Sequence, residues 1–597
     1  MPWITRVSGA EADVGIAYRV ELGQANNHYV EVELTATAKE AETILMMPVW
    51  TPGSYLIREH ARHLDSLRVA KEDGTALSVR KTRKNRWRVQ TEPGTKFVVS
   101  YRLYCNDVSV RTNFVNEQFA VLNGAATFLT VLGQLSAEHH VALTLPSHWN
   151  GSATSLTSQG GAHRFVARNF DELVDSPIVA GRIDVFPFDV DGVPHQLVNV
   201  GQTDYWDGAK AAADLAVIVQ QQRDFWGGLP YDRYLFLNVI GEGRGGLEHD
   251  RCCLLLTSRW NFRVPESYED WLSLASHEFF HAWNVRRLRP NSLLRYDYEK
   301  ETYTGSLWIA EGITSYYEDV FLVRSGLIDE EAYLERLSKN IETTQTAPGR
   351  RVQSLRDASF DTWIKFYRPD ENRRNTRVSY YSKGAVVAFL LDAEIRSRTD
   401  NERSLDDAMR LAYGRFVETG FSEEEFRDVI NEIVAGDLSS WFRSMVDDTD
   451  ELQFEMALQW YGLRWDDSEE DTDIDDDDPD GEDEDAEESK PERWLGIEMD
   501  GDKVSIILDD SPAANAGVSF DDQILAINGF QLHGSLEGHL EQFEVGDQIN
   551  LLISRRGELQ SIDVTIAPAP KQSWTLVIDD NGSEASIQNR ESWIGKR

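Results

Sequence analysis

The stretch from Tyr268 to Leu288 constrains the fold more than any other part of the chain. It holds no Gly or Pro, and Pro290 follows as a stop signal, so one helix is expected over 268–288. Trp271, Leu274, Ala275, Phe279 and Trp283 give it an apolar surface at helical spacing. Within it stand His277-Glu278-Phe279-Phe280-His281. Residues four apart share a helix face, so His277 and His281 can present two imidazoles to one metal ion. Glu278, beside the first imidazole, can act on a water at that ion. The same five residues also suit a core helix whose histidines bond to backbone groups.

A third ligand separates these readings. A catalytic zinc takes three protein ligands and keeps a position for water. Leu307 to Gly312, followed by Ile313 to Glu318, predicts a second helix with Glu311 near its start. Glu318, seven residues on, lies two turns along the same face and can hold a ligand histidine as an acceptor. In so acidic a chain both carboxylates could instead be solvated. Two helices supplying His277, His281 and Glu311 to one zinc per chain is the thermolysin-like zincin arrangement.

The 597 residues are enough for three or four domains, and no apolar run is long enough to cross a membrane. The opening MPWITRVSGAEADVGIAYRV lacks a charged start followed by an apolar stretch, which argues against a secretory signal. Of the three cysteines, Cys252 and Cys253 are adjacent and poorly placed to pair with each other, so a reducing, cytoplasmic setting is the simplest expectation. A formal net charge of −41 makes nucleic acid an unsuitable partner, since phosphate binding needs basic patches. Asp466–Glu488 contributes 17 of those charges with no Lys or Arg, and reads as a disordered linker. Asp476, Asp478, Asp480, Gly481 and Glu487 formally fit a calcium-loop pattern. However, Asp483 occupies its apolar position and amphipathic flanking helices are missing, so calcium binding is not expected.

Periodicity divides the rest. Residues 1–190 alternate apolar and polar in short runs, as in YVEVELTATA and FVVSYRLYC, and predict a β-sandwich-like domain. Residues 191–465 begin with strands and a helix at 208–226 and become mainly helical from 267. The linker covers 466–490. Strands return over 491–568, and the tail 569–597 has no readable pattern.

Beyond these readings, the segments HEFFHAWNVRRLRP and YTGSLWIAEGITSYYED resemble the glycyl aminopeptidase family of zinc peptidases. So do MPVWTPGSYLIREHARHL at 47–64, GGLEHD at 245–250 and SYYSKGAVVAFLLDAEI at 379–395. The gap from His281 to Glu311, longer than in better-known aminopeptidases, fits this family. The resemblance implies a multidomain α+β chain with a β-sandwich-like N-terminal domain, a thermolysin-like, mainly helical gluzincin catalytic domain and a C-terminal PDZ domain. It implies zinc on His277, His281 and Glu311, with Glu278 as general base and acid.

The Gly241–Asp250 loop is then expected to recognise substrate. Gly245 and Gly246 would allow close backbone approach. Glu248 would bind the free α-amine of a peptide, with His249 orienting it or touching substrate. Tyr381 would donate to the oxyanion, with Tyr380 the alternative. Leu495, Gly496 and Ile497 match a PDZ carboxylate-binding loop for a peptide C-terminus, and 511–518 and 522–529 match the elements after it. The expected activity is removal of small N-terminal residues, Gly or Ala, from peptides with a free N-terminus. The alternatives are a zinc endopeptidase, or a PDZ-based binding protein with secondary peptidase activity.

Overall fold

The computed structural model describes residues 15–466, 493–570 and 573–595. Most of the chain opening read for a signal, the calcium-loop pattern and nearly all of the expected linker lie outside the described residues. The chain divides into two compact units. The first is Met1–Thr304 with Tyr317–Ile328 and Met409–Phe426; the second is Gly305–Tyr316, Asp329–Ala408 and Arg427–Arg597. The architecture is multidomain α+β, β-rich at the N-terminus and helical in the middle of the chain.

The first unit opens with a seven-stranded sheet and two four-stranded sheets. Alternation sets which side chains turn inward: along Tyr29–Thr37, Val30, Val32, Leu34 and Ala36 are buried. They share one hydrophobic core with Leu45 and Val89 of the second sheet and with Leu122 and Ile178 of the third. The hairpin Ile183–Val190 with Val193–Gly201 then starts a different, five-stranded sheet. Its next strands, Tyr234–Gly241 and Cys252–Ser258, run parallel to Val193–Gly201. Such parallel pairing needs a crossover, supplied by the helix Gly208–Trp226. Asp207 caps that helix by accepting from the amides of Ala209 and Lys210, and Gly227 ends it at φ 79°.

Gly241–Asp250, expected as a loop, contains a short strand, Gly245–Glu248. It pairs antiparallel with Cys252–Ser258 and forms the end of the sheet. The helix expected over 268–288 spans Pro265–Phe280. It stops although no Gly or Pro follows at once. His281 Nδ1 bonds the Asn284 carbonyl at 2.6 Å, and the Arg286 amide bonds the His281 carbonyl, so the next turns follow tertiary partners.

In the second unit, the helix Ser382–Arg398 packs with Glu330–Gln345 and with Glu455–Tyr461. A six-stranded sheet lies within Ile497–Thr565, with its own apolar core that includes Val504, Ile524 and Leu551. Asn375 joins it to the helices, donating to the Ile507 carbonyl at 2.8 Å and accepting from the Asp509 amide at 3.0 Å. The described part of the unreadable tail carries a strand and a helix. Leu576–Ile578 pairs with Leu463–Trp465, and the helix Glu584–Ile594 stacks Trp593 on Tyr461 at 4.3 Å between centroids. No helix among the described residues is long and apolar enough to cross a membrane, and all three cysteines are free and buried.

Three histidines of the first unit are buried and held neutral. Burial, with Arg58 adding to it, pushes His60 down to about 3; burial takes His139 and His195 to about 4. In the unfolded chain they protonate below their ordinary value of 6.5. The unfolded state therefore binds more protons between that value and about pH 4, and stability falls as pH drops through this window. For His60 the loss is on the order of 3 kcal/mol by pH 4. The Nε2 of His60 is buried and has no hydrogen-bond partner among the described residues. His60→Met should therefore flatten the decline in urea midpoint between pH 7 and pH 4.5; an unchanged slope would refute this account.

Candidate active site

The site builds up from the end of the helix Pro265–Phe280. Phe279 packs on Tyr234 and Phe236 of the five-stranded sheet, and Phe280 on Phe225 and Tyr317, which turns the opposite face inward. His277, Glu278 and His281 are all buried there. Nδ1 of His277 lies 2.5 Å from the Glu318 carboxylate, and Nδ1 of His281 lies 2.6 Å from the Asn284 carbonyl. With Nδ1–H donating in each ring, the lone pair falls on Nε2, the atom that would coordinate a metal.

Among the described residues of the first unit, Glu248, Glu278 and His281 form a buried grouping with the donor chemistry for a metal. Their donor atoms lie within 4.8 Å of one another. The edge strand makes this closeness possible. A Cβ at Gly246 would stand 2.0 Å from Glu278 Oε1, so a side chain there would displace the Glu278 carboxylate. Gly245 has ordinary room beside Val110.

A buried ion-pair network lies directly behind Glu248, which sequence reasoning missed. Asp175 accepts from His249 Nδ1 at 3.0 Å, from the Asp250 amide at 2.9 Å and from Arg286 at 2.6 Å. Burial alone would raise the Asp175 carboxyl, but Arg286 and His249 outweigh it and hold it below its ordinary value. No pattern in the sequence signals this pairing, because Asp175 ends a short helix far upstream of both partners.

Glu311 belongs to the second unit, in a π-helical turn, Trp308–Gly312, that runs straight into the helix Ile313–Ser325. Wide turns of this kind recur at functional positions. Glu318 follows on the same helical run. Gly312 sets the packing: a Cβ on it would stand 2.6 Å from Gly384 Cα, so the two helices touch backbone to backbone. That contact accounts for the glycine of the Ser-Lys-Gly element and places the negative charge of Glu311 near Tyr381. Burial first, then Glu311 and Tyr367, push the Tyr381 phenol well above its ordinary value, so it is a donor at neutral pH. Tyr380 is fully buried and its hydroxyl accepts from Thr362 at 3.0 Å, whereas Tyr381 retains some exposure. In the C-terminal sheet, Leu495 is buried, Gly496 has φ 73° and Ile497 begins an end strand.

Family models match the chain in two places: the peptidase M61 N-terminal domain over residues 17–182 and M61 glycyl aminopeptidase over 270–387. The crystal structure of an aminopeptidase N family protein from Idiomarina loihiensis is 30% identical, with a TM-score of 0.88 over 97% of this chain and 100% of that one. An M1 zinc metallopeptidase from Deinococcus radiodurans is 13% identical, with a TM-score of 0.43 over 74% of this chain and 95% of that one. Yeast LTA4 hydrolase in complex with bestatin is 10% identical, with a TM-score of 0.45 over 75% and 70%. A comparison with curated proteins found no match. The protein is an aminopeptidase, a hydrolase of peptide bonds. It belongs to the peptidase M61 family of glycyl aminopeptidases.

Proposed function

We propose that this aminopeptidase depends on one zinc ion, held by His277, His281 and Glu311, and removes small N-terminal residues, Gly or Ala, from peptides. The observation that carries the zinc reading is the fixing of both imidazoles through Nδ1, by Glu318 and by the Asn284 carbonyl, which directs each Nε2 lone pair outward. Two His and one Glu is also a catalytic zinc ligand set. Bound there, zinc would polarise the scissile carbonyl and acidify a water.

The remaining work falls to the chain's own groups. Glu278 takes the proton of the attacking water and hands it to the leaving amine. Tyr381 donates its O–H to the oxyanion, in keeping with its raised phenol value and its partial exposure beside fully buried Tyr380. Glu248 binds the substrate ammonium, and its position at the end of an edge strand suits a peptide laid alongside Gly245 and Gly246. The catalytic domain is taken as 191–465. The region 491–568 is taken as a PDZ-type module that receives a peptide C-terminus at Leu495, Gly496 and Ile497; the left-handed Gly496 and the end strand beginning at Ile497 support this. Three buried, unpaired thiols suit a reducing cytoplasm.

A substrate panel tests the reading. Gly and Ala amides should be cleaved fastest, a chelator should abolish cleavage and added zinc should restore it. N-acetylated peptides should not be cleaved. Equal rates on free and acetylated peptides would make the enzyme an endopeptidase instead.

A further inference from the structure

The segment at 47–64 belongs to the N-terminal β-rich part and has no place in the chemistry so far. Its centre is Thr51-Pro52-Gly53-Ser54. The Ser54 amide bonds the Thr51 carbonyl at 3.1 Å, and Gly53 has φ 83°. Proline followed by a left-handed glycine, closed by that bond, is the signature of a type II turn. The turn is firmly held. Thr51 and Ser54 are buried, and Arg58 donates to the Ser54 hydroxyl at 2.9 Å. On the N-terminal side the Val49 amide bonds the Tyr298 carbonyl at 2.8 Å, and Trp50 Nε1 bonds the Asp297 carbonyl at 2.8 Å.

This turn meets the Glu248 carboxylate. A Cβ on Gly53 would stand 2.4 and 2.5 Å from its two oxygens and 2.7 Å from its carboxyl carbon. All three atoms are too close for any side chain to share the space. The carboxylate therefore rests against the bare glycine backbone, on a turn held by several hydrogen bonds, while the neighbouring His249 is tied to Asp175.

We infer that Gly53 is a positioning residue for Glu248: the turn Thr51–Ser54 is a wall of the amine-binding site, so the N-terminal β-rich part takes part in selecting free N-termini. This rests on the proposal that Glu248 binds the substrate ammonium. The absence of a side chain at 53 is then a requirement of the site as well as of the turn. A Cβ there would push the carboxylate out of the place where it meets an ammonium, and a displacement of about 1 Å costs up to about a hundredfold in rate.

The test compares Gly53→Ala with Gly74→Ala in the full-length enzyme. Gly74 lies in another turn at φ 89° with nothing within 4 Å of its would-be Cβ, so it carries the same backbone strain without the contact. Kinetics are read on alanine p-nitroanilide. Gly53→Ala should raise KM at least about tenfold, as expected for a displaced ion-pair partner, with Gly74→Ala near wild type. Combining Gly53→Ala with Glu248→Gln should do no more damage than Glu248→Gln alone, because both act through one carboxylate.

A Gly53→Ala enzyme no worse than Gly74→Ala, or losses that multiply in the double variant, overturns the inference while leaving the amine-anchor role intact. Normal kinetics in Glu248→Gln removes that role and the inference together. Should Gly53→Ala fail to fold, Gly53→Ala with Glu248→Asp should fold, since the shorter side chain withdraws the carboxylate from the new methyl group. Failure of that pair to fold overturns the inference as well.

Discussion

Replacing Glu278 with Gln should lower kcat about 10³- to 10⁴-fold while the protein keeps its metal, as expected when a general base is removed. The change is nearly isosteric. Glu278 is buried with its carboxylate against the strand at Gly246, so an amide of the same shape fits the same space. It cannot take a proton from water or return one to the leaving amine. Metal content by elemental analysis, measured on the same sample as the kinetics, separates this loss from loss of the ion. Wild-type turnover with one metal per chain would remove Glu278 from the mechanism.

Replacing Arg286 with Met should cost about 3–5 kcal/mol of stability, the price of stranding a buried charge. Arg286 and Asp175 have side chains only 5% and 11% exposed, 2.6 Å apart, so water screens the pair little. Without the guanidinium, Asp175 keeps His249 and the Asp250 amide but has lost its one permanent positive partner. The direction with pH follows from the depressed carboxyl. The pair contributes stability above the unfolded value of 3.8 and loses it as pH falls through the lower folded value. Urea unfolding at pH 7 reads the difference. Asp175→Asn together with Arg286→Met should recover part of it, because the stranded charge is gone; a loss under about 1 kcal/mol in the single variant would show that the pair is not desolvated.

Local patterns carried much of the candidate site. The four-residue spacing of His277 and His281 and the seven-residue step from Glu311 to Glu318 are helical periods: the first runs to the residue that caps its helix, and the second starts in the π-helical turn that leads into its helix. Alternation in Tyr29–Thr37 and the apolar run of Ser382–Arg398 are equally local. The failures are positions where a distant group decides. The helix that carries His277 and Glu278 ends at Phe280, where the carbonyls of His281 and Asn284 are taken by a backbone amide and a ring nitrogen. Asp175 was invisible because its partners are in contact only after the β-rich part has folded onto the loop after Glu248. The tail helix Glu584–Ile594 has few apolar residues to mark it, and most of its anchoring comes from Trp593, stacked against a tyrosine, and from Arg590, paired with Glu330.

The antiparallel pairing of Leu463–Trp465 with Leu576–Ile578 has a topological meaning. The C-terminal sheet, Ile497–Thr565, lies in the chain between the two strands of this ribbon, so it is an insert within a hairpin and not an appendage. Closing a longer loop costs entropy only logarithmically, so a ribbon this short can still close around a whole inserted sheet. The last helix returns to the layer the chain had left, and cutting the insert free would require two breaks in the chain.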